Sequence, residues 1–226
     1  MFSFMRITIR LFWPLLLAGP LFSCSRGSQE LQVEEEAVEV VQFEPAGSFL
    51  QLQVGNYWVY ESFSVNLETG EETPLLKRDS IYVLKDTVIG RSEYFILEGS
   101  RLGQSHRSVL RCSGPEVMDA EGRLLFSTAA VGDTAVLPAA RLAEGAESGE
   151  ACLYHVGGVE VPYGVFDALE YRRTFTLSSS QEEKEESRLR RQSDFFARGI
   201  GLIKYTSFFP NQPLDIEMRL VRCQVK

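Results

Sequence analysis

The side chains able to do chemistry are few: four cysteines, two histidines and a surplus of acids in a chain of 226 residues. His106 sits in a polar stretch and His155 just before Gly157-Gly158. Neither has a second strong ligand at metal-binding spacing, so both read as surface residues. Ser105 adjoins His106, but no G-x-S-x-G surrounds it to lift a nucleophile out of a strand-to-helix turn. Among Cys24, Cys112, Cys152 and Cys223 there is no Cys-x-x-Cys, so neither a dithiol redox motif nor a zinc site is indicated. No acid stands in the apolar setting that raises a carboxyl pKa, and Glu160 and Asp167 read as outward positions of alternating strands. The expectation is a non-enzymatic protein with no cofactor and no metal.

One thiol stands apart. Cys24 closes Leu21-Phe22-Ser23-Cys24, at the end of an apolar run of 12 residues, Leu11 to Phe22, that follows Arg6 and Arg10. That is signal-peptide length and about half of what a bilayer span needs. Pro14, Gly19 and Pro20 also oppose a spanning helix. The ending resembles the lipobox of bacterial lipoproteins, with Phe22 where a smaller residue is usual. The resemblance implies that residues 1–23 are removed and that Cys24 becomes an acylated first residue. Several acyl chains anchor stably where one is marginal. The expectation is an exported, membrane-anchored lipoprotein, in the outer membrane if the cell has one. An ordinary secretory signal cut nearby is the alternative.

The formal net charge is −8, and residues 1–23 carry two arginines and no acid, so removing them leaves −10. An acidic chain argues against nucleic acid and against electrostatic docking on anionic lipid, which leaves the acyl group to hold the membrane. Cys112, Cys152 and Cys223 are odd in number, so an oxidising compartment predicts one disulfide and one leftover thiol, with the pairing open.

The elements that must position any site read as β. Residues 24–48 are acidic and poor in aromatics, a solvated tether, and residues 49–226 form a single β domain. Val54-Gly55-Asn56 turns the chain into an aromatic, β-branched strand whose Tyr57, Val59, Phe63 and Val65 face reads as buried. Short strands follow over 80–84, 93–98, 108–112 and 123–127, each bounded by turn residues. Residues 129–149 read as a long loop with a short helical turn near 139–144. Strands resume over 151–156, 159–161, 165–177, 193–209 and 214–225, with 178–187 as an exposed hairpin loop. The fold expected is all-β or mainly β, an antiparallel meander forming a β-sandwich or a half-open barrel.

Two stretches carry a further resemblance. Val161-Pro162-Tyr163-Gly164-Val165-Phe166 and Phe195-Phe196-Ala197-Arg198-Gly199-Ile200-Gly201-Leu202-Ile203-Lys204, with the strand opening at Val54, resemble uncharacterised bacterial lipoproteins built mainly of β-strands. The resemblance implies a secreted β domain and no particular reaction. Read physically, Gly199 and Gly201 share one strand face, where missing side chains let an aromatic ring or a backbone lie close. A phosphate loop would need a third glycine at a helix start, and Lys204 holds that place.

Trp58, with Tyr57 and Tyr60, reads as core in preference to a ligand-stacking platform. Phe208 and Phe209, before the turn at Asn211 to Pro213, are the candidate apolar contact: a core cap, or a patch for lipid or partner. The leading reading is a lipid-anchored β domain that binds or scaffolds an unidentified envelope partner. The alternative is a carrier of hydrophobic ligand or lipoprotein acyl chains, with a half-barrel like that of lipoprotein-localisation factors. A continuous apolar cavity would favour the carrier and a filled sheet-on-sheet core the scaffold. Replacing Cys24 by Ala should abolish metabolic lipid labelling and move the protein to the soluble fraction; labelling that survives would return the chain to ordinary secretion.

Overall fold

The computed structural model describes residues 43–177 and 188–226. Cys24, the tether as far as residue 42 and the loop at 178–187 lie outside the described residues. Strands dominate, in two runs. The first holds β1 (Tyr57–Asn66), β2 (Glu72–Ile89), β3 (Ser92–Arg101), β4 (Gln104–Ser113), β5 (Glu116–Asp119) and β6 (Leu124–Ser127). The second holds β7 (Thr134–Val136), β8 (Ala146–Val161), β9 (Gly164–Leu177), β10 (Arg188–Ala197), β11 (Gly201–Phe208) and β12 (Leu214–Gln224). Each run is a meander, and the two join where β1 pairs antiparallel with β12, giving one open 12-stranded sheet with β6 and β7 at its edges.

That connectivity forces curvature. Laid flat, strands about 4.8 Å apart would hold the two edges roughly 50 Å from each other. Only residues 128–133 link β6 to β7, and they reach at most about 25 Å. The sheet therefore bends until its arms face each other. Val117 and Phe126 from the first arm share a buried cluster with Leu153 and Leu169 from the second. Of the two architectures expected from sequence, the half-open barrel is present and a sandwich of two sheets is not.

A short segment plugs one end of the bend. Ala46 donates its N–H to Gly114 O at 2.9 Å, and Ser48 O accepts from Gly199 N–H at 2.8 Å. The segment thereby spans from the β4–β5 turn to the β10–β11 turn. Its helical turn α1 (Gly47–Leu50) inserts Phe49 and Leu50 into the cluster between the arms. Packing against the sheet thus begins ahead of Phe49, with Glu44 paired to Arg198.

Several local expectations change. In β1 the buried residues are Trp58, Tyr60 and Ser62, not the Tyr57, Val59, Phe63 and Val65 set. The two aromatics turn inward because their polar tips find carbonyls there: Trp58 Nε1 donates to Ile200 O at 2.6 Å and Tyr60 Oη to Leu202 O at 2.9 Å. β2 and β8 run far longer than their apolar cores suggested, since paired backbone continues through polar residues. Phe195 to Lys204 is a hairpin, not one strand: Gly199 lies in the turn, and Gly201 alone makes the close approach. Cys112, Cys152 and Cys223 are all free thiols, placed on β4, β8 and β12, so the expected disulfide is not formed. Burial pushes the Cys112 thiol up to about 11, which makes it a poor nucleophile at neutral pH.

Gly201 has φ +99°, and a Cβ there would sit 3.0 Å from the Trp58 ring. Gly201→Val should therefore destabilise the domain by about 1–3 kcal/mol. Gly157→Ala meets only Asp167 Oδ1 at 3.4 Å and should change stability by no more than about 0.5 kcal/mol. Urea melts of the two variants with equal midpoints would contradict this role of the glycine.

Candidate functional site

Between the arms lies a polar centre built by five strands and one turn. β3 ends at Arg101 and turns through Leu102 and Gly103, both left-handed at φ +55° and +74°. A two-residue hairpin demands that backbone, and leucine adopts it rarely. Asp79, buried on β2, accepts the Gly103 N–H with both oxygens, at 3.1 and 3.2 Å, and so clamps the turn. It also accepts from Tyr205 Oη at 3.2 Å. The Arg101 guanidinium lies 4.3 Å over the Tyr205 ring and pairs with Asp194 of β10. Arg173 of β9 takes the other Asp194 oxygen at 2.6 Å.

Asp194 is buried, and burial alone would raise its carboxyl pKa. Arg101 and Arg173 outweigh that and hold it below the usual aspartate value. Burial likewise disfavours the Arg101 cation, and the charge of Asp194 overcomes it, so Arg101 stays charged. His106, on β4, is half-buried beside them. Burial and then Arg101 lower its pKa against the pull of Asp194, so it is neutral at pH 7. No protein acceptor among the described residues reaches the buried Nε of Arg173. Leaving such a donor without an acceptor costs about 1–3 kcal/mol.

This centre forms one wall of a cavity of about 390 Å³. The remaining walls are apolar, with Leu50 and Leu52 from the plug, Trp58, Ile81 and Leu97 from the first arm, and Phe126 at its edge. Arg141, from the turn Ala139–Arg141, joins the lining, and no carboxylate pairs with it among the described residues. Ligand sites have this character: roughly 300–1,000 Å³, mostly apolar, with a few convergent polar groups. A second hollow of about 710 Å³ is lined by Asp79, Gly103, Phe208, Phe209 and Met218 among others.

The residues singled out from sequence fall unevenly around these features. His106 is not a surface loop residue, since it lies on β4 and lines the first cavity. His155, Glu160 and Asp167 are exposed on their strands. Trp58 is both core and cavity wall. Phe208 is half-buried, 5.7 Å from the Phe175 ring and beneath Arg190 at 5.0 Å, whereas Phe209 is 47% exposed. Sequence reasoning missed Asp79, Arg101, Arg173 and Asp194. Asp194 did carry a signal: it precedes Phe195-Phe196 in a strand, where an unpaired acid would be costly. Among the described residues no cluster of His, Cys, Asp and Glu could hold a metal ion, and no helix is long and apolar enough to cross a membrane.

No protein-family model and no curated protein matches the chain. Two solved structures are similar to it. One is a protein from Bacteroides fragilis described as exported with a YmcC-like fold, at 12% identity and TM-score 0.43, covering 78% of this chain and 98% of the other. The second, from Parabacteroides distasonis, is described as a lipoprotein, at 10% identity and TM-score 0.43, covering 78% and 99%. Likenesses that loose add nothing to the geometry.

Asp194→Asn would leave Arg101 and Arg173 facing a neutral amide, and should cost about 3–5 kcal/mol at pH 7. Because the folded pKa of Asp194 is depressed, its contribution is complete above the unfolded value near ~3.9 and fades as pH falls through the folded one. Urea titrations should find the gap between wild type and variant narrowing in acid. A variant as stable as wild type at pH 7 would show that the charge centre is dispensable to the fold.

Proposed function

We propose that this is an exported protein, tethered to a membrane through an acylated Cys24, that binds a hydrophobic ligand and catalyses no reaction. The observation that carries the reading is the apolar hollow of about 390 Å³ between the arms of a single curled sheet. A scaffold domain has no use for an unfilled interior, because a cavity lined by apolar side chains forfeits contacts that a packed core would make. The carrier therefore takes precedence over the scaffold that led on sequence grounds. The tether is supported by the Leu21-Phe22-Ser23-Cys24 ending and the basic, apolar segment before it.

The test is direct. The neutral apolar dye N-phenyl-1-naphthylamine should brighten on mixing with the protein and be displaced by dodecan-1-ol. Ser108 lines the hollow with a small side chain, and Ser108→Phe should place a ring in that space. The variant should melt like wild type and lose the fluorescence gain. Equal brightening by both proteins would move dye binding elsewhere and end this reading of the cavity.

A further inference from the structure

We infer that the ligand is a single-chain amphiphile with a carboxylate head, seated against Arg101, Arg141 and Arg173. This rests on the apolar-ligand reading above and names the chemistry of the same cavity. Three guanidinium groups line the hollow and only one carboxylate, Asp194, lines it with them. Asp79 stands behind Tyr205, held by that hydroxyl and the Gly103 amide. Counting it still leaves one positive charge without a partner. Arg141 is half-buried beside Tyr171, and a partly desolvated cation gains from an anion that meets it.

Two details fit a carboxylate. Arg173 keeps a buried Nε–H that no protein acceptor among the described residues reaches, and Arg141 has no ion pair among them. Guanidinium groups present paired donors in the planar spacing that a carboxylate accepts. The surplus of one also matches a singly charged head; a phosphomonoester brings about −1.5 to −2 at pH 7. The apolar walls formed by Leu50, Leu52, Leu97 and Phe126 then receive the chain.

Calorimetric titration of the full chain with dodecanoate and dodecyl phosphate, each below its micelle concentration, and with dodecan-1-ol below its solubility limit, tests this. Dodecanoate should bind about 10-fold more tightly than the alcohol, the effect of one charged hydrogen-bonded pair. Arg141→Gln strands no carboxylate, so it should melt like wild type and lose most of that advantage. Equal affinity for acid and alcohol would overturn the carboxylate and leave the apolar cavity standing. Tighter binding of dodecyl phosphate would overturn the single charge. Binding of none of the three would overturn both the head group and the cavity reading.

Discussion

The link between the two edge strands is the constraint on which the rest depends. Residues 128–133 must carry the chain from β6 to β7, at opposite ends of a sheet whose flat width far exceeds their reach. Pairing β1 with β12 makes the two meanders one sheet; the short link then bends that sheet until its arms face each other. Everything inside follows from the bend. Phe126 on one edge strand meets Tyr171 and Phe196 on the other arm, at ring separations of 5.5 and 5.4 Å. The plug around α1 closes one end because both turns it bonds to have been brought within its span.

Curvature also explains why charge is found inside. The bend leaves a hollow between the arms, and long polar residues reach into it. Arg101 crosses from the first arm to Asp194 on the second. Within the second arm, Arg190 of β10 reaches past β11 to Asp215 of β12 at 2.7 Å and donates to the carbonyls of Gln212 and Leu214. Glu170 is held by Arg172 and Ser193. Each buried ion is met by an opposite charge or several hydrogen bonds, the condition under which a protein interior tolerates it. Such centres fix the geometry of the bend more sharply than apolar contact does, since guanidinium and carboxylate must meet at one distance and one angle.

Local signals were legible where the cause is local. The turns at Gly55, Gly70, Gly90, Gly114 and Gly122 bounded strands correctly because left-handed backbone is a property of one or two residues. Gly157-Gly158, read as a turn, is instead a bulge inside β8. Gly201 was read rightly as a point of close approach, and Gly199 wrongly as its partner. The spacing of two glycines does not say whether a turn falls between them. The buried face of β1 was read with the wrong parity for a related reason. Apolar side chains lie on both faces of that strand, and Trp58 and Tyr60 went inward because carbonyls of Ile200 and Leu202, over 140 residues away, receive their polar tips.

The sequence by itself determined the all-β class, the meander of short turns and the exported, lipid-anchored expectation, since each rests on residue types within a few positions of one another. Only the tertiary structure decided that the sheet is single and bent, that three cysteines stay apart, and that His106 faces an interior. It alone assembled Asp79, Arg101, Arg173 and Asp194, which come from four strands and share no spacing. Their chemistry exists only once those strands are adjacent, because a charge pair depends on distance through space, and distance along the chain does not encode it.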